Sequence, residues 1–177
     1  MDSGGGFLDE TSTHTDTNAA LSAQQEHIEQ RHIDKIDEAY VNITRKFRKR
    51  LPPVVVDVVA EKVGGYESLP ELWQDFAPVI LATIHLKSPI QRLLNYTGDF
   101  HEFCDAFKED TDLHEYKEYF DAMDFAWTRV LKDKSPTKTD KVRIVNVLRD
   151  GQDRASQLGL QEVYPHATDM ADDDFDE

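Results

Sequence analysis

Cysteine is all but missing from this chain. Cys104 stands alone among 177 residues, which excludes an intrachain disulfide and any zinc site built from several thiolates. Glycine-rich phosphate loops are also missing. Gly4-Gly5-Gly6 lies in a polar terminal stretch, and Gly64-Gly65 follows a helical pattern instead of opening one. No G-x-S-x-G, H-E-x-x-H or C-x-x-C occurs, so the common nucleophile, zincin and redox signatures are excluded. Long apolar runs are absent too. The longest, Phe76 to Leu86, is interrupted by Pro78 and His85 and is too short to span a bilayer. The N-terminus is polar, without the basic start and apolar stretch of a signal peptide. An intracellular protein with no membrane partner is therefore expected.

Positive charge is in deficit. The formal net charge is −15, which argues against bulk non-specific binding to nucleic acid or anionic membrane. The charge is segregated, with a basic cluster at 45–50 and acidic stretches over 99–124 and 165–177.

What is present is helical periodicity. Tyr116, Phe120, Met123, Trp127 and Val130 step by three and four behind Leu113, which places one apolar stripe along a helix from Leu113 to about Lys134, capped by Thr111. Ile33, Ile36, Tyr40, Ile43 and Phe47 repeat the pattern, predicting a long amphipathic helix from about Asn18 to Lys49. Its weaker first part, Leu21 to His32, is expected to project from the body. Helix pairing, within the chain or between chains, would use this stripe.

Start and stop residues divide the remainder. Pro53 and Gly64-Gly65 bracket a valine-rich segment, read as helix over strand for 54–63 because no partner strand is evident. Ser68 and Ser88 each open a capping-box pattern with Glu71 and Gln91. Asp75 with Pro78, and Asp99 after a stop at Gly98, suggest two further starts. Thr139 as a cap and Gly151 as a stop favour helix over strand for 141–148. The expected fold is all-α: an irregular bundle of about six to eight helices spanning 19–164, with a disordered segment at 1–18 and a disordered acidic tail at 165–177.

Candidate chemistry is sparse. Glu29 and His32 have the E-x-x-H spacing of a di-iron ligand pair, but no second such pair exists. His101 and Cys104, with Asp99 or Asp105 nearby, are the least poor catalytic pair. Helix neighbours rarely converge as an active site requires, and a buried small hydrophobe is the simpler role for Cys104. The carboxylates of 99–124 could imitate DNA phosphates, but two basic regions elsewhere weigh against it. No catalytic residue, metal or cofactor is therefore assigned, and a non-enzymatic protein is expected.

The leading functional expectation is a protein-interaction or assembly module of adaptor, scaffold or viral-assembly type. It would bind a protein partner or its own copy through Ile33, Ile36, Tyr40, Ile43 and Phe47, and through Met170 and Phe175 of the acidic tail. The tail's last eight residues resemble, in composition, the acidic tips of single-stranded-DNA-binding proteins. The alternative is a nucleic-acid-associated regulator in which Arg45, Lys46, Arg48, Lys49 and Arg50 contact phosphates, with the acidic tail modulating access. The same cluster could serve as a nuclear-import signal.

Overall fold

A computed structural model describes residues 10–50 and 64–172. Among them are six helices and no strand: α1 (Glu10–Arg48), α2 (Leu69–Ile84), α3 (Ile90–Ala106), α4 (Leu113–Asp133), α5 (Lys138–Gln157) and α6 (Pro165–Asp172). The all-α expectation holds, and 141–148 is helix. The helix expected over 54–63 lies outside the described residues, as does Phe175.

Local chemistry sets most ends. The Ser68 hydroxyl accepts the Glu71 N–H at 3.4 Å, and the Glu71 carboxylate accepts the Glu67 N–H at 3.0 Å. Asp112, one residue after the expected Thr111, caps α4, its N–H bonded to the Glu115 carboxylate at 3.1 Å. Thr137, two residues before Thr139, caps α5 by accepting the Asp140 N–H at 3.1 Å. Each cap supplies a partner to N–H groups that the first turn leaves bare.

Several boundaries differ from the sequence reading. Asp75 and Pro78 start no new helix; α2 runs through both. Pro89, without a side-chain bond, stands where Ser88 was expected to cap α3. Gly98 stops nothing, and α3 continues to Ala106. Gly151 lies inside α5. The first helix starts at Glu10, eight residues before the expected Asn18. The C-terminal stretch is corrected likewise. Pro165–Asp172 forms a helix whose Ala167 and Ala171 are buried, because small side chains let α6 lie close against α4 and α5.

The core is an aromatic ladder. Trp73 of α2 stacks on Tyr119 of α4 at 4.5 Å between ring centres. Phe100 of α3 meets Phe120 of α4 edge-on at 5.0 Å, and Phe120 meets Tyr164 at 5.5 Å. Trp127 is fully buried, and its indole N–H donates to the Thr97 hydroxyl at 2.9 Å; that hydroxyl donates on to the Leu93 carbonyl at 2.6 Å. Each fully buried large side chain contributes about 1.5–3 kcal/mol.

The C-terminal half of α1 joins this body. Ile36, Ile43 and Phe47 are buried. Tyr40 meets Tyr96 at 4.4 Å and Phe47 meets Phe103 at 4.7 Å. Residues 17–28 are exposed throughout. Among the described residues, Glu29 ties the helix to the body: its carboxylate accepts the Lys87 N–H at 2.6 Å. The exposed residues 17–28 upstream of it run about 18 Å along the helix at 1.5 Å per residue.

Candidate functional site

The stripe Ile33, Ile36, Tyr40, Ile43 and Phe47 was expected to meet a partner. It belongs instead to the chain's own core, against α2 and α3. A helix with one apolar stripe covers it with the nearest apolar surface, and here that surface is intramolecular. What α1 leaves open is Val41 on its C-terminal half, 43% exposed, and two residues upstream. Leu21 is 52% exposed and Ile28 is 38% exposed. Both continue, along one helical face, toward His32, Lys35 and Ala39, in steps of three, four and seven.

Where that face reaches the body it becomes one wall of a cleft of about 370 Å³ between α1 and α2. Lys35, Ile36 and Ala39 form one side, and Pro78, Val79 and Ala82 the other. His32, His85 and Asp75 also border it. The exposed Leu21–Ile28 edge and this largely apolar cleft make one continuous surface, and the sequence signalled only its overhang.

The basic cluster divides in two. Lys46 Nζ is 3.1 Å from the Glu71 carboxylate and 4.6 Å from the centre of the Tyr66 ring. Arg50 stacks 3.7 Å over Phe47 and donates to its carbonyl at 2.9 Å. These two cations secure the end of α1. Arg45, Arg48 and Lys49 are exposed and make no ion pair among the described residues. Gly65 packs against the same turn; a Cβ there would lie 2.6 Å from the Arg50 nitrogen.

The candidate catalytic residues are placed for other work. His101 is fully buried, and its Nε2 lies 2.7 Å from the Tyr164 hydroxyl. Burial pushes its pKa down to about 4, against the raising effect of Asp150, whose carboxylate is 3.8 Å from Nδ1. Nδ1 has no hydrogen-bond partner. Cys104 is buried, and burial pushes its thiol well above the ordinary range, the opposite of an activated nucleophile. Glu29 of the E-x-x-H pair is taken up by Lys87. His114 is exposed, and with Asp112 and Glu115 forms a surface cluster in which the Glu115 carboxylate already accepts the Asp112 N–H.

One polar device escaped the sequence reading. Buried Asp124 of α4 accepts the Ala167 N–H at 2.8 Å and lies 2.8 Å from His166 Nδ1, so it caps α6 from a neighbouring helix. That contact raises the His166 pKa. Asp124 follows Met123 on the buried stripe of α4, and a carboxylate on an apolar stripe was the available signal. Met170 of the tail is half-buried on α6.

No family model, characterised protein or solved structure matches this chain. No helix among the described residues is long and apolar enough to cross a membrane.

Proposed function

We propose that this chain is a non-enzymatic protein-interaction module that presents the overhanging half of α1 and the adjoining α1–α2 cleft to a protein partner. The observation that carries the reading is the asymmetry of α1. Its C-terminal half is fixed in the core, while 18–28 is exposed. A solitary helix of that length is marginal in water. It gains stability when Leu21 and Ile28 are covered and the cleft beside Ile36 is filled. His101 and Cys104 are buried, and Asp124 and His166 are engaged in holding α6 to α4.

The test is comparative capture on immobilised full-length protein and on its Leu21→Glu/Ile28→Glu variant. A discrete protein, the chain itself or another, should be retained by the first and lost from the second. Equal retention by both overturns the reading. Both substituted positions are exposed, so the fold is expected to survive, and an unchanged circular dichroism spectrum checks that.

A second reading keeps the three exposed cations. Arg45, Arg48 and Lys49 end α1 on one turn and could meet nucleic-acid phosphates. Filter binding at two salt concentrations tests it. Affinity that falls with salt and vanishes in the triple alanine variant supports nucleic-acid binding, and salt-independent retention of nothing removes it.

A further inference from the structure

We infer that the occupant of the overhang and cleft is a second copy of this chain, docked antiparallel. The inference rests on the interaction-module reading and adds the partner and its direction.

Charge along α1 selects both. From Glu10 to Gln30 the helix carries Glu10, Asp16, Glu26 and Glu29 and no lysine or arginine. From Arg31 onward it carries Arg31, Lys35 and the cluster 45–50, with Asp34, Asp37 and Glu38 in the minority. A parallel pair would lay the acidic half on the acidic half. An antiparallel pair turns the acidic half toward the half that ends in Arg45 and Arg48, and sets Glu26 beside Arg31 instead of beside a second Glu26; like-charge contact is what specificity is built to avoid.

Register follows from the apolar residues. With Ile28 at the two-fold axis, Ile28 meets Ile28 of the copy and Leu21 falls level with Lys35, at the mouth of the cleft. Glu26 then lies within a turn of the copy's Arg31. The cleft of about 370 Å³, walled by Val79 and Ala82, would receive the Leu21 turn. The contact is isologous, so the same insertion happens twice and both clefts close. Leu21 lies seven residues, about 10 Å, beyond the axis at Ile28, which carries it to the mouth of the copy's cleft.

The experiment uses the full chain. Light scattering should give a mass twice 20.3 kDa, falling to that of one chain in the Leu21→Glu/Ile28→Glu variant. Direction is read by disulfide trapping, since the native Cys104 is buried and silent. An Ile28→Cys chain should cross-link to itself on oxidation. A Leu21→Cys chain should not, but should cross-link when mixed with a Lys35→Cys chain. A single-chain mass at about 100 µM, where even a weak dimer is populated, overturns the inference. So does self-cross-linking of Leu21→Cys as efficient as that of Ile28→Cys. If the chain is monomeric while the capture experiment still separates wild type from variant, the partner is a different protein; the module reading then stands and the second-copy inference falls.

Discussion

Acid should attack this fold first at His101. The imidazole is buried between α3, α5 and Tyr164, with one nitrogen bonded and the other bare. Its pKa falls from 6.5 to about 4 on folding. The unfolded chain therefore takes up a proton as pH drops through about 6.5, while the folded chain refuses it until about 4. Stability from this group is complete above the unfolded value and is lost as pH falls between the two. Integrating the linkage relation over that window gives a loss of about 2 kcal/mol by pH 5 and about 3 kcal/mol by pH 4.

Two other groups titrate nearby. Burial raises the Asp99 carboxyl to about 6, so it stabilises the fold as pH falls from there toward 3.8, opposing His101; because Asp99 is partly solvated, its effect is discounted. His166 is raised by Asp124, so its contribution is present at low pH and fades as pH rises through the raised value. A His101→Gln variant removes one titration and leaves these two in place. Urea unfolding of both proteins from pH 7.5 to 4.5, followed by the fluorescence of buried Trp127, isolates the difference. The wild-type midpoint should approach the variant midpoint by about 1 M between pH 7 and 5, for a slope near 2 kcal/mol/M. Parallel profiles across that range would refute the assignment of a buried neutral imidazole.

Three further outcomes are expected. Gly98 and Gly151 both lie inside helices, yet alanine should act in opposite directions. A Cβ at Gly98 meets nothing within 4 Å, so Gly98→Ala should raise the unfolding free energy by about 0.5–1 kcal/mol. A Cβ at Gly151 would lie 2.7 Å from the Tyr164 ring and closer still to the His101 imidazole, so Gly151→Ala should lower it by about 1–3 kcal/mol. Thermal melts of the pair check the sign. Asp124→Ala leaves the Ala167 N–H without its acceptor and should cost about 1–3 kcal/mol, with loss of hydrogen-exchange protection concentrated in 165–172.

How much of this could be read from the chain depends on what each residue's neighbours in space are. The α4 stripe Tyr116, Phe120, Met123, Trp127 and Val130 is buried as its spacing implied, because period decides which face turns inward, while Leu113 at its head, on the first turn, stays 53% exposed. Glycines and prolines misled because the same residue has two meanings. Gly151 reads locally as a stop; its reason is the His101–Tyr164 pair brought against it from α3 and from the turn before α6. Tyr164 itself holds a φ of 56°, a left-handed backbone that L-residues rarely adopt, and nothing in its sequence context announces this. The tail misled for a related reason. Its acidic composition implied solvation, but a helix needs only Ala167 and Ala171 on one face, plus a remote cap at Asp124, to be held down.

The interaction stripe shows the limit most clearly, and it redirects the function. Ile36, Ile43 and Phe47 belong to the densest apolar stripe of α1, so sequence reasoning assigns them to the partner. A dense apolar stripe is what a chain buries for itself, since an intramolecular contact carries no cost of lost translational freedom. The upstream residues left for association, Leu21 and Ile28, are sparse, and their burial alone cannot hold a constitutive interface. Association through α1 should therefore lean on charge for its direction and weaken as salt is added, since surface pairs are screened beyond about 8 Å at physiological ionic strength. A dimer whose mass persisted unchanged into molar salt would mean that an apolar surface other than the Leu21–Ile28 edge holds it.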